Sequence, residues 1–68
     1  MRVLINGKSH ELEAAATLAT AVALLPGAPA GRGVAAAVDG EVVPQREWSN
    51  TPLSEGARIE LVVAVQGG

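Results

Sequence analysis

The residues best placed to do chemistry in this chain are its last three. The sequence closes on "IELVVAVQGG", so Gln66, Gly67 and Gly68 follow directly on an apolar, β-branched run. The terminal group is an α-carboxylate, with a reference pKa of about 3.5, and is ionised at neutral pH. A carboxylate resists nucleophiles until its oxygen is made a good leaving group, and adenylation by ATP does that. The carboxylate must then reach the phosphates inside another protein's active site. Glycine has no side chain to obstruct a narrow channel, and its backbone can approach other backbones closely. Three extended residues reach roughly 10 Å. Residues 66–68 are therefore expected to form a thin, flexible arm beyond a folded domain of residues 1–65, with Gly68 as the modified residue.

The other chemically capable side chains offer less. The absence of cysteine excludes disulfides and a cysteine zinc site. His10, the only histidine, falls in an expected edge strand beside Glu11 and reads as a surface residue. Glu11, Glu13, Glu55 and Glu60 are scattered among turns and strand faces, and solvated surface describes them better than a general acid–base pair. Trp48, the only aromatic, reads as a packing residue. The glycine-rich stretch "PGAPAGRG" (26–33) lacks the spacing and the Gly-Lys-Ser/Thr ending of a phosphate-binding loop. No catalytic residue and no metal site is expected. The chain reads as a non-enzyme that partner enzymes act upon.

The elements that must present the arm come next. Sixty-eight residues make one domain. So short a chain buries only about 60% of its unfolded surface, and without disulfides the core must stabilise it alone. A composition 49% apolar supplies the material. The net charge of −2 and the single aromatic residue argue against nucleic acid, which calls for basic patches and stacking rings. No signal peptide is evident, and the weakly polar run 14–25 is shorter than the roughly 20 residues of a membrane span. The expected setting is the cytoplasm.

"MRVLING" alternates with period two, placing Met1, Val3 and Ile5 on one face and Arg2 and Leu4 on the other. Asn6-Gly7 is a hairpin turn signal, because both residues tolerate positive φ. "KSHELE" reads as the returning strand, with Leu12 inward. In "TLATAVALL" the period lengthens. Leu18, Ala21, Val22 and Leu25 form one stripe of a helix of two to three turns, with Thr17 as N-cap, Glu11 and Glu13 ahead of its positive end, and Pro26-Gly27 ending it. "VAAAV" (34–38) and "EVV" (41–43) are strands joined by a turn at Asp39-Gly40. Pro44 stops the second, and "QREW" (45–48) has room for one helical turn. A turn at Ser54-Glu55-Gly56 leads to the last strand, from about Arg58 to Val65.

The order β-β-α-β-β-β predicts an α+β fold: a mixed sheet of four to five strands with one main helix packed on one face. The first and last strands are the most apolar and are expected at the centre, adjacent and parallel. That is the β-grasp, or ubiquitin-like, architecture; other open α+β arrangements satisfy the same order. Strand alternation adds a surface. With Ile59, Leu61 and Val63 turned toward the helix, Val62 and Ala64 face outward, and Leu4 does so from the first strand. Leu4, Val62 and Ala64 are predicted to form an exposed apolar docking patch beside the arm.

Over its whole length the sequence resembles the ThiS family, the sulfur carriers of thiamin biosynthesis. The resemblance rests on "INGKSHELEAAATLATAVALL", on "VAAAVDGEVVPQREW", its most specific part, and on "TPLSEGARIELVVAVQGG". It departs in three places. Gln45 stands where the family carries Arg after the proline, with Arg46 next. Asp39 stands in place of Asn, and Ala57 replaces an Asp that would cap its turn. The resemblance implies a carrier that binds no cofactor itself. An adenylyltransferase similar to the ubiquitin-activating enzymes would use ATP and Mg to convert the Gly68 carboxylate to an acyl-adenylate. Sulfur from a cysteine desulfurase or related donor would displace AMP and leave a thiocarboxylate, and thiazole synthase would take the sulfur.

Three alternatives stand beside this reading: a sulfur carrier of another pathway, like the small subunit of molybdopterin synthase; a ubiquitin-like protein modifier attached through the same glycine; and a passive interaction domain whose glycine end is an ordinary frayed terminus. The first is disfavoured, because such chains tend to be longer and lack the "VVPQREW"-like segment. The glycine end combined with the β-grasp pattern favours function over fraying.

Overall fold

The computed structural model describes residues 1–25 and 33–63. Two tight turns build most of the sheet. Asn6 and Gly7 sit at φ 51° and 83°, the paired positive values of a two-residue hairpin, and join β1 (Arg2–Ile5) to β2 (Lys8–Glu11). Asp39 and Gly40, at φ 50° and 88°, join β3 (Val34–Val38) to β4 (Glu41–Val43) in the same way. The last strand, β5 (Arg58–Val63), lies between the hairpins, giving the order β2-β1-β5-β3-β4. It pairs parallel with β1 and antiparallel with β3. The expected mixed sheet, with first and last strands adjacent and parallel, is the observed one.

One face of this sheet carries the core. Val3 and Ile5 of β1, Ala36 of β3, and Ile59 and Leu61 of β5 are buried against Leu18, Ala21 and Val22 of α1 (Leu18–Ala23). Thr17 occupies the N-cap with extended backbone, and its N–H donates to the Thr20 hydroxyl at 3.1 Å. The Glu11 carboxylate lies 3.4 Å from the N-terminal amine and 3.6 Å from Arg2 Nε. The helix is shorter than the sequence pattern suggests. Leu24 and Leu25 N–H groups donate to Ala21 and Val22 carbonyls, i→i+3 bonds that tighten and end the last turn. Leu25 still packs on the core's edge, as does Leu12. Pro26 and Gly27 lie outside the described residues.

The segment between β4 and β5 closes the far end. Pro44 precedes a 3-10 helix (Gln45–Asn50), two residues longer than the expected single turn. Trp48 is 5% exposed within it, and its Nε1–H donates to the Val43 carbonyl at 2.9 Å. The packing reading of this residue holds. Leu18 N–H donates to Thr51 O at 2.9 Å and Leu53 N–H to Ala16 O at 3.2 Å, tying the helix start to the approach to β5. Gly56, at φ 80°, turns the chain, and Ala57 N–H closes that turn on Ser54 O. Ala57 itself is buried in the core.

Candidate functional site

The central position of β5 follows from its composition. Ile59 and Leu61 bury themselves beneath the helix, while both backbone edges find partners, β1 on one side and β3 on the other. Ala64, Gln66, Gly67 and Gly68 lie outside the described residues, as does Val65, the expected end of the strand. What the structure gives is the root of the expected arm, at Val62 and Val63.

Two of the side-chain assignments there need correction. Val63 shares the face of Ile59 and Leu61 but is 38% exposed. A six-residue helix is about 9 Å long and covers only the first two of these positions. Leu4 is not a neighbour of Val62. The parallel register sets Leu4 opposite Arg58, and β1 leaves the sheet after pairing Ile5 with Ile59. Val62 lies four residues beyond Arg58, or about 13 Å along the strand. Leu4 is also half-buried.

The apolar surface beside Val62 comes instead from β3 and β4. Val62, 63% exposed, stands opposite the exposed Ala35. Ala37, half-buried, stands between Glu60 of β5 and Val42 of β4, and Val42 is 77% exposed. Val62, Ala35, Ala37 and Val42 thus form an apolar strip on the face of the sheet away from the helix. Sequence reasoning did not assign Val42 to this surface, although the signal was there. A two-residue turn at Asp39-Gly40 fixes Val42 opposite Ala37, so Val42 faces outward once Ala36 faces the core.

On its other edge β5 is held by a side chain. The Asn6 N–H donates to Ile59 O at 2.9 Å. Its carboxamide then continues the ladder: Nδ2 donates to Leu61 O at 3.1 Å, and Oδ1 accepts from Leu61 N–H at 2.9 Å.

The remaining reactive groups are not brought together. His10 stands opposite Val3 and so shares its helix-side face, half-buried at the sheet's edge near Leu24 and Leu25 rather than on the open surface. Glu11, Glu13, Glu55 and Glu60 are exposed. Glu55 accepts from Arg2 N–H at 3.1 Å, a turn role. Arg46 projects from the 3-10 helix, its Nε 4.0 Å from the Glu47 carboxylate. Among the described residues no group of three or more His, Cys, Asp or Glu could hold a metal ion, and no helix is long and apolar enough to cross a membrane.

Comparison with solved structures finds the same fold in the thiamine biosynthesis protein ThiS from Geobacter metallireducens. The two share 23% identity and a TM-score of 0.78, with 100% of each chain covered. No curated protein matches the sequence. The model of the ThiS family matches residues 3–68, from the first strand through the final glycine. A five-stranded mixed sheet under one short helix, joined by two glycine hairpins and matched to the family through Gly68, places this chain in the ThiS family.

Proposed function

We propose that this protein is a sulfur carrier of thiamin biosynthesis and that Gly68 is the group that carries the sulfur. The observation behind this reading is the family match through Gly68, on a fold whose last strand is the central one. The Gly68 carboxylate attacks the α-phosphorus of ATP, held with Mg by an adenylating partner, and releases pyrophosphate. Sulfur supplied from cysteine through a desulfurase displaces AMP from the acyl-adenylate and leaves a thiocarboxylate. Thiazole synthase accepts that sulfur. The carrier supplies no catalytic side chain and binds no cofactor of its own, and it works in the cytoplasm.

Residues 66–68 enter the partner's active site, and the partner reads the open face of the sheet. The apolar strip of Val62, Ala35, Ala37 and Val42 is the surface offered, because it includes Val62, next to the last described residue of β5. Arg46 adds an exposed cation on the 3-10 helix that follows β4, one residue after Gln45, and takes the part of the family's arginine, whose place Gln45 fills here.

The decisive measurement is the intact mass of the protein after incubation with its adenylating enzyme, ATP and a sulfur source. Replacement of one oxygen by one sulfur is the expected change, abolished by deleting Gly68. An unchanged mass with a competent enzyme overturns the reading. Growth of a deletion strain restored by external thiazole assigns the pathway; failure of that rescue moves the carrier to another sulfur product.

A further inference from the structure

Asn6 does more than its turn requires. At φ 51°, followed by Gly7 at φ 83°, the position needs a residue that tolerates the left-handed region, and Gly, Asn or Asp would each serve. The two hydrogen bonds to Leu61 narrow the choice. One needs a donor and the other an acceptor, in the geometry of a peptide group. Glycine offers neither, and an ionised aspartate offers only acceptors. The asparagine carboxamide supplies both, so it substitutes for the β1 residue lost when the backbone turns away at Ile5.

The location gives this pairing its consequence. Leu61 precedes Val62 and Val63, the last described residues of β5. On the β3 side all three are paired, with Ala36, Ala35 and Val34. On the β1 side the backbone ladder stops at Ile59, and the Asn6 carboxamide extends it to Leu61. Without that side chain the root of the arm would be held from one side only.

We propose that Asn6 is a positioning residue for the Gly68 carboxylate. It fixes Leu61, and through it the end of β5 at Val62 and Val63, from which the chain continues to Gly68. This rests on the sulfur-carrier reading above. A partner that grips the domain by its open face brings the carboxylate to ATP only as accurately as that root is held. A displacement of about 1 Å in a reacting group can cost about a hundredfold in rate.

The test is adenylation of the intact protein by its adenylating enzyme, followed by ATP–pyrophosphate exchange, with amide hydrogen exchange on the free carrier. Asn6→Gly keeps the turn, removes both bonds and is the variant read by Leu61 exchange. Asn6→Asp keeps the turn and the acceptor for Leu61 N–H but loses the donor to Leu61 O, so it is read by kcat alone and decides the positioning role should the glycine variant fold poorly. The expected result is faster exchange at the Leu61 amide with the Val3 amide still protected. With it kcat falls about tenfold while KM moves less than about threefold, since docking and reaction geometry are separable. Faster Leu61 exchange with kcat unchanged overturns the positioning role. Unchanged Leu61 exchange overturns the pin itself. Wild-type carrier that supports no exchange with a competent enzyme overturns the carrier reading and this one together; an active wild type with unaffected variants overturns this one alone.

Discussion

Val62 of β5 and Ala35 of β3 stand directly opposite each other on the open face of the sheet, next to the last described rung of the β5 ladder. Their strip continues through Ala37 to Val42 and does not include Leu4. Val62→Glu and Val42→Glu are each expected to weaken binding to the proposed adenylating partner about tenfold or more, as at an interface with few energetic anchors. Leu4→Glu, beside Arg58, is expected to change binding much less. Titration of the three variants, with circular dichroism to confirm folding, checks this. Equal losses at Leu4 and Val62 would restore Leu4 to the patch.

Trp48 fills the end of the core and also donates from Nε1 to Val43 O, where β4 stops. Trp48→Ala should cost about 3–5 kcal/mol, a large part of the stability of so small a domain. Trp48→Phe keeps most of the packing but leaves the Val43 carbonyl without this donor, at a further cost of about 1 kcal/mol beyond any volume change. Urea unfolding midpoints separate the two contributions. A phenylalanine variant as unstable as the alanine one would show the hydrogen bond to dominate.

Asp39 adopts φ 50° and its Oδ1 accepts from Arg58 N–H at 3.0 Å. Asparagine tolerates the same backbone and offers the same acceptor, so Asp39→Asn should change stability by no more than about 0.5 kcal/mol. Asp39→Ala loses the acceptor and strains at positive φ, at a cost of about 1–2 kcal/mol. Thermal unfolding of both variants tests the pair.

Glu11 lies near the N-terminal amine and Arg2, but its side chain is 69% exposed. Solvent screens such pairs heavily, so Glu11→Gln should shift stability by less than about 0.5 kcal/mol. The residual difference should vanish at high salt. A larger, salt-insensitive loss would assign Glu11 a structural role beyond its charge.

Much of this molecule is legible in the residue order because local rules decide it. Asn6-Gly7 and Asp39-Gly40 each fix a hairpin and its register through two backbone angles. The change of period at Thr17 marks the helix, and Pro44 ends β4 because it has no N–H for the ladder. The stripe of Leu18, Ala21 and Val22 names the buried face, and period two names the faces of Ile59, Leu61 and Val62. The helix end was less legible, since i→i+3 bonds at Leu24 and Leu25 compete closely with continued α-helix.

By itself, then, the sequence determined the kind and order of the elements, the two hairpin turns and the faces taken by Ile59, Leu61 and Val62. Tertiary structure decided how β1 slides against β5. No turn joins those strands, and alternation specifies which face a residue takes but not its position along the strand. Packing of Val3, Ile5, Ile59 and Leu61 under the helix sets that offset. The same offset separates Leu4 from Val62, leaves Val63 beyond the helix, and brings Asn6 to Leu61 across 55 residues of chain.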